Sequence, residues 1–169
     1  MDEKRTPNHA RLLRLIVQDA QVGDAADESL LPDEMRSKYR AGNILGKGAF
    51  GCVFRATKSV VARPVAFKIV LPSKNGEFSS KEERRLIREA KILQNLKCEH
   101  AVEIIDADFS ASKDRFYLIM EVLEGSDLAK YIKTHGPIDS HEAITMGMSI
   151  LEVLIELRSM GVAHRKNGD

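Results

Sequence analysis

Three glycines stand in a spacing that could bring the main chain against a phosphate group. Gly46, Gly48 and Gly51 follow a G-x-G-x-x-G pattern, and glycine has no Cβ to block the approach of a phosphate. In a dinucleotide-binding fold this pattern stands at the start of a helix. Here the residues that follow, 52–57, are rich in β-branched and aromatic types and predict a strand, as does 41–45 before the glycines. The pattern therefore predicts a hairpin whose tip can lie over a nucleotide as a lid.

This hairpin and the strand after it resemble the protein kinase family. Kinases carry G-x-G-x-x-G-x-V over the nucleotide and V-A-I-K on the third strand. This chain has the three glycines with Val53 after them, and Val-Ala-Phe-Lys at 65–68. The combination of loop, strand context and lysine spacing is highly specific. The alternative, a glycine-rich hairpin with an unrelated buried lysine, does not explain the motifs that follow.

The resemblance implies an ATP site built from five separate stretches of the chain. Lys68 would bind the α- and β-phosphates and pair with a glutamate on the next helix. Val53 and Ala66 would sandwich the adenine ring, and 120–123 would supply the gatekeeper and the hinge, whose backbone meets the adenine edge. The expected nucleotide-binding residues are Leu45, Gly46, Lys47, Gly48, Ala49, Phe50, Gly51, Val53, Ala66, Lys68, Glu89, Met120, Glu121, Leu123 and Asp127.

Two of these acids also have a structural alternative. Glu89 falls on the same side of a predicted helix as Leu86 and Leu93. An inward carboxylate needs a buried partner, and Lys68 is available, although Glu89 could instead be solvated. Asp127 stands where kinases often have an acid for the ribose hydroxyls, but an acid there is equally favoured by the dipole of the helix that follows.

The strands and the helix predicted to carry these residues indicate an α+β fold. Three strands within 39–70, two more at 102–109 and 116–122, and a helix beginning at the capping box Ser80-x-x-Glu83 make a five-stranded antiparallel sheet with one helix. This is a kinase-like N-lobe over 39–122. Residues 1–38 would be an N-terminal extension with an amphipathic helix near 12–17 and a linker at 23–34. Residues 123–169 would be the hinge and the first helices of an incomplete C-lobe, ending in the catalytic loop.

The last long helix is expected to carry an apolar surface that nothing in the chain covers. A short helix at 126–135 would end at Gly136, and a second would run from Asp139 to about Met160, with Gly161 as its cap. If its apolar side chains stay exposed, the chain loses on the order of 5–10 kcal/mol of stabilisation from burial, at about 25 cal/mol per Å² of apolar surface. We therefore expect the chain to be marginally stable alone, to aggregate, or to have a protein partner on the 144–160 helix.

The resemblance breaks at the catalytic loop. His164 and Arg165 match the first residues of H-R-D-L-x-x-x-N, but Lys166 stands where the catalytic aspartate belongs. No asparagine follows at the metal-binding spacing, and the 169 residues contain no D-F-G, so the Mg²⁺ ligands of the parent family are absent and no metal site is predicted. A lysine has the wrong charge for a metal ligand and is protonated at neutral pH. The chain is expected to be a truncated kinase without transferase activity.

Composition excludes several other classes of protein. The net charge of +1 gives no electrostatic footprint for nucleic acid. The first residues carry no apolar signal core, and charges interrupt the longest apolar region, so neither secretion nor a membrane span is expected. Two cysteines suggest reduced thiols and a cytoplasmic or nuclear location. The preferred function is the ATP-binding part of a serine/threonine kinase. The alternatives are a pseudokinase-like nucleotide-binding regulator and a partner-binding protein.

Overall fold

The computed structural model describes residues 24–48, 51–73 and 76–162. The predicted amphipathic helix near 12–17 and the catalytic-loop residues His164, Arg165 and Lys166 lie outside this part. The described residues form two compact units. The sheet unit comprises 24–95 and 103–122, and the helical unit comprises 96–102 and 123–162.

The sheet unit contains the predicted five-stranded antiparallel sheet. The strands are β1 Tyr39–Gly48, β2 Gly51–Lys58, β3 Arg63–Val70, β4 Ile104–Phe109 and β5 Phe116–Glu121. Their order in the sheet is β1-β2-β3-β5-β4, and all four neighbouring pairs run antiparallel. β4 begins two residues after its predicted start and β5 ends one residue before its predicted end, and the other strands lie within the predicted 39–70.

One face of the sheet, which we call the outer face, is centred on Phe67. This ring is fully buried and stands where the family motif has isoleucine. It lies edge-on to Tyr39 with ring centroids 4.9 Å apart, stacks on Phe54 at 5.7 Å and contacts Tyr117 at 6.2 Å. Aromatic pairs at these separations add to the stabilisation from burial. The outer face is therefore the main hydrophobic core of the sheet unit.

Residues 24–36 cover the outer face, although their composition indicated a linker at 23–34. They contain a 3-10 helix, Glu28–Leu30, and one turn of helix, α1, Asp33–Arg36. Leu31 is fully buried and Met35 nearly so, and both belong to the core cluster of Phe67. The prediction of a linker is wrong for this structure, because Leu31, within 23–34, and Met35, just after it, are apolar residues that pack into the core.

The opposite face, which we call the inner face, packs against helix α2, Ser80–Asn95. Leu86, Ala90 and Leu93 form its apolar stripe toward the sheet. The capping box uses Ser79 and Glu82, one residue before the predicted pair: Glu82 N donates to Ser79 Oγ, and Ser79 N donates to the Glu82 carboxylate at 2.8 Å. Both serines fit the S-x-x-E pattern. Hydrogen bonds from Ser79 and Ser73 lower the pKa of Glu82 to about 2.

The helical unit contains α3, Leu128–His135, and α4, Ser140–Ser159. Asp139 accepts a hydrogen bond from Glu142 N at 2.9 Å and caps α4, which confirms the predicted start of this helix. The predicted helix ends are also confirmed, since Gly136 and Gly161 have φ of 88° and 70°, values that favour glycine. Among the described residues, no helix has both the length and the apolar character needed to cross a membrane.

Helix α4 is apolar on two opposite sides. One side is buried through Val153 and Leu157. The other side is exposed, with 67% of the surface of Ile155 accessible. Helices that are apolar all round are characteristic of buried positions. The exposed side, which we call the open α4 face, consists of Ile144, Met148, Leu151 and Ile155.

Because the open α4 face is apolar and exposed, we expect the isolated chain to bind a hydrophobic dye and to self-associate. The double substitution Leu151→Glu and Ile155→Glu should reduce both, while changing the free energy of unfolding by less than about 0.5 kcal/mol because both side chains are exposed. His141→Glu, which adds a charge at an exposed polar position of the same helix, is the control and should reduce neither. Dye fluorescence and light scattering measure the effect. A wild-type chain that is monomeric, melts cooperatively and binds no dye would contradict the prediction.

Candidate functional site

The register of the sheet brings several predicted site residues to the inner face. Gly46 pairs with Val53, Val53 pairs with Lys68, and Ala66 pairs with Met120. Directly opposite residues of an antiparallel pair point to the same side, and so do residues two apart on one strand. These five residues therefore share one face, although they come from four strands.

The glycine-rich hairpin joins β1 to β2 at one end of this face. Gly48 pairs with Gly51 across the hairpin, and Ala49 and Phe50 at its tip lie outside the described residues. A Cβ added at Gly48 would meet no described atom within 4 Å. The backbone of Gly48 is therefore open to a ligand.

Gly51 has a different role, because it is required by the sheet itself. Its φ is +146°, and a Cβ there would lie 1.8 Å from the carbonyl oxygen of Ile69 on β3. No side chain fits at that distance, and the left-handed conformation strains any residue other than glycine. Gly51 therefore allows β2 to pack closely against β3. Gly48 instead leaves open space beside the hairpin.

Lys68 lies half-buried on the inner face, but Glu89 is not beside it. The Glu89 side chain is exposed, and no ion pair joins these two described residues. The prediction that Glu89 faces inward is wrong for this structure. The apolar stripe of α2 runs through Leu86, Ala90 and Leu93, and Glu89 lies at its flank, where a carboxylate can stay in water.

Lys47 does not join the cluster on the inner face, because it pairs with Cys52 on the outer side of the hairpin. Leu45 stands at a register shift between Ile44 and Gly46, where the pairing assigns it to neither face, so its role stays a prediction. Cys52 is half-buried against the outer core, and this burial raises the pKa of its thiol. A thiol with a raised pKa is less reactive, so packing accounts for Cys52.

The predicted hinge residues fall in both units. Met120 lies on the inner face, where it contacts the cluster formed with α2. At the end of β5, Glu121 N donates to Glu103 O at 3.1 Å, and the Glu121 carboxylate accepts from Glu103 N at 2.9 Å. These two bonds fix the strand end that precedes Leu123, which belongs to the helical unit.

Asp127 caps helix α3. Its carboxylate accepts a hydrogen bond from Lys130 N at 2.7 Å, which confirms the structural alternative for this residue. The ribose role stays a prediction. Within the described ranges, no group of three or more His, Cys, Asp and Glu side chains is placed to hold a metal ion.

Sequence reasoning missed Leu118, which pairs with Lys68 on the inner face and is almost fully buried. Its neighbourhood depends on the pairing of β3 with β5, two strands far apart in the chain. Alternation within 116–121 assigns a face to each residue. It does not reveal which residue of β3 lies opposite, so no local signal could have found this contact.

Comparison with known proteins identifies the family. The family model described as protein kinase domain matches residues 39–166. The chain belongs to the protein kinase family. The kinase match begins at the first residue of β1, so residues 24–36 precede it.

Two curated kinases and one solved kinase structure show the extent of the similarity. The chain is 31% identical over 129 residues to the serine/threonine-protein kinase fused of Drosophila melanogaster, covering 76% of this chain and 15% of that protein. It is 32% identical over 134 residues to the probable serine/threonine-protein kinase fhkD of Dictyostelium discoideum, covering 79% and 17%. The PknI kinase domain of Mycobacterium tuberculosis shares the fold, with a TM-score of 0.63, 20% identity and coverage of 77% and 52%. This chain therefore spans a small part of the curated kinases and about half of the solved domain.

The two glycines of the hairpin should differ sharply on substitution. Gly51→Ala should lower the free energy of unfolding by at least about 2 kcal/mol, since it combines backbone strain with a clash against Ile69. Gly48→Ala is the matched control and should change it by less than about 1 kcal/mol, because the added methyl meets open space. Urea unfolding measures both. Equal effects of the two substitutions would contradict the assigned roles.

Proposed function

We propose that the inner face of the sheet binds ATP and that this chain is the ATP-binding part of a serine/threonine protein kinase. The observation that carries the proposal is the register that puts Lys68 beside Val53, on the same face as Gly46 and Ala66. A cation, apolar side chains and the open backbone of Gly48 together suit a phosphorylated nucleotide with an aromatic base. The serine/threonine assignment is supported by the similar kinases of fly and slime mould.

Each group on this face has a separate task in the proposed complex. The Lys68 ammonium supplies the positive charge for the phosphates, which a half-buried lysine does more strongly than an exposed one. Val53 and Ala66 give apolar contact to the adenine ring. The backbone at Gly48 can approach a phosphate, because no described side chain occupies that space.

We further propose that the 169-residue chain does not itself transfer phosphate. This second proposal rests on Lys166, which follows His164 and Arg165 where kinases have the catalytic aspartate. That aspartate accepts the proton of the attacking hydroxyl. A protonated lysine cannot accept it, and its charge would repel Mg²⁺, which neutralises the transferring phosphoryl group in the family. The described residues offer no acidic cluster that fits this ion.

Nucleotide binding should depend on Lys68. We expect Lys68→Ala to weaken the binding of a fluorescent ATP analogue about ten- to a hundredfold, since a hydrogen bond to a charged group contributes about 1.5–3 kcal/mol. Lys58→Ala, at the exposed end of β2, removes the same charge away from the inner face and should leave the affinity unchanged. The proposal is wrong if the wild type binds no analogue or if both variants bind equally well.

Transfer of labelled phosphate from ATP to generic protein substrates tests the second part of the proposal. The wild-type chain should incorporate no more label than the Lys68→Ala variant. Incorporation that is clearly above this background and lost in the variant would show that Lys166 does not prevent catalysis.

A regulatory role through a protein partner is the alternative function. The open α4 face favours it, because exposed contiguous apolar surface often marks an interaction site. In this case Leu151→Glu and Ile155→Glu would abolish partner capture, whereas Lys68→Ala would leave it unchanged.

A further inference from the structure

Residues 24–36 run across the outer face of the sheet, and we call this segment the strap. It contacts β1, which is an edge strand, and the turn between β5 and β4, which lie at the opposite side of the sheet. It precedes the part of the chain that matches the kinase family. The glycine-rich hairpin begins at the end of β1, beyond the residues that the strap contacts.

The first part of the strap forms hydrogen bonds with β1 just before the hairpin. Ala26 N donates to Gly42 O at 2.7 Å, and Ile44 N donates to Asp24 O at 3.0 Å. The Glu28 carboxylate accepts from Ala41 N at 3.1 Å. An edge strand without a partner would leave these N–H groups to water.

These bonds meet β1 where its pairing with β2 is irregular. The register shifts between Ala41 and Ile44, and again between Ile44 and Gly46. Bulges of this kind interrupt the ladder and bend the strand. The strap therefore supplies hydrogen bonds to β1 over the stretch where the register between β1 and β2 shifts, and Gly46 follows immediately.

The second part of the strap is held by the turn 110–115. Arg115 Nη1 donates to Ser29 O at 2.9 Å and to Leu30 O at 3.2 Å. Asp114 fixes the guanidinium through a 2.7 Å ion pair. Ala111 N donates to the Glu34 carboxylate at 2.9 Å. The strap is thus hydrogen-bonded at both edges of the sheet, to β1 at one edge and to the turn 110–115 at the other.

The strap is also anchored by two buried side chains. Leu31 has no exposed surface, and Met35 is 6% exposed. Both pack in the cluster of Phe54 and Phe67, so the strap cannot leave the outer face without exposing the core of the sheet.

We propose that the strap positions the glycine-rich hairpin and thereby sets its mobility and its affinity for nucleotide. Glu28 is the positioning residue, because it acts on the hairpin through its hydrogen bond with Ala41 N on β1. The effect on nucleotide affinity rests on the proposed function, whereas the effect on the mobility of the hairpin does not.

Hydrogen exchange in the full chain tests this proposal, with mass spectrometry of peptides spanning 44–53. Glu28→Ala should speed exchange in these peptides about two- to tenfold, the effect expected for loss of one hydrogen bond. Glu28→Gln keeps an acceptor oxygen and should restore most of the protection. Glu34→Ala is the matched control, because it removes the same type of bond from the same segment at the other side of the sheet. It should speed exchange in 110–115 and leave 44–53 unchanged.

The outcomes separate the positioning role from general destabilisation. Unchanged exchange of 44–53 in Glu28→Ala, or equal acceleration there by Glu34→Ala, would overturn the proposal. A fluorescent ATP analogue gives the second readout, and its affinity should fall about two- to tenfold in Glu28→Ala and recover in Glu28→Gln. If the wild type binds no analogue, the proposed function fails, and the exchange rates still decide whether the strap positions the hairpin.

Discussion

The structure depends on the burial of Phe67 between the rings of Tyr39, Phe54 and Tyr117. Successive residues of a strand point to opposite faces, so the core contact of Phe67 determines that Lys68 points the other way. A slip of one residue would bury the lysine among aromatic rings and expose Phe67. The apolar packing on one face therefore fixes the position of the charged group on the other.

The two faces of the sheet are covered by different means. On the outer face, a segment outside the kinase match inserts Leu31 and Met35 into the core. On the inner face, α2 packs through Leu86, Ala90 and Leu93 against the side chains of β4 and β5. The glycine-rich hairpin is connected to both arrangements, since β1 is bonded to the strap and β2 is paired with β3. Its geometry follows from long-range packing as well as from its glycines.

Much of the sheet could be predicted because its signals are local. β-branched and aromatic runs marked the strands, and glycines and polar residues marked the turns. The start of α4 was also predictable from a local signal, because Asp139 is a residue type that caps helices. Where two local solutions were equal, the prediction chose the wrong one: Ser79 and Ser80 both fit the capping box, and only tertiary placement selects Ser79.

The parts of the site that could not be predicted depend on contacts between distant segments. Glu89 shares a helical side with Leu86, yet its place at the flank of the apolar stripe leaves it solvated. Leu118 becomes a neighbour of Lys68 only through the pairing of β3 with β5. The strap resembled a linker because its stabilising partners, Arg115 among them, lie far along the chain.

Backbone amide signals followed by NMR during titration with an ATP analogue test most directly whether the face bearing Lys68 binds nucleotide. We expect shifts in the β1–β2 hairpin and at 65–68, saturating together, with little change in 110–115. Shifts confined to the outer face, or none at saturating nucleotide, would contradict the claim that the face bearing Lys68 binds ATP.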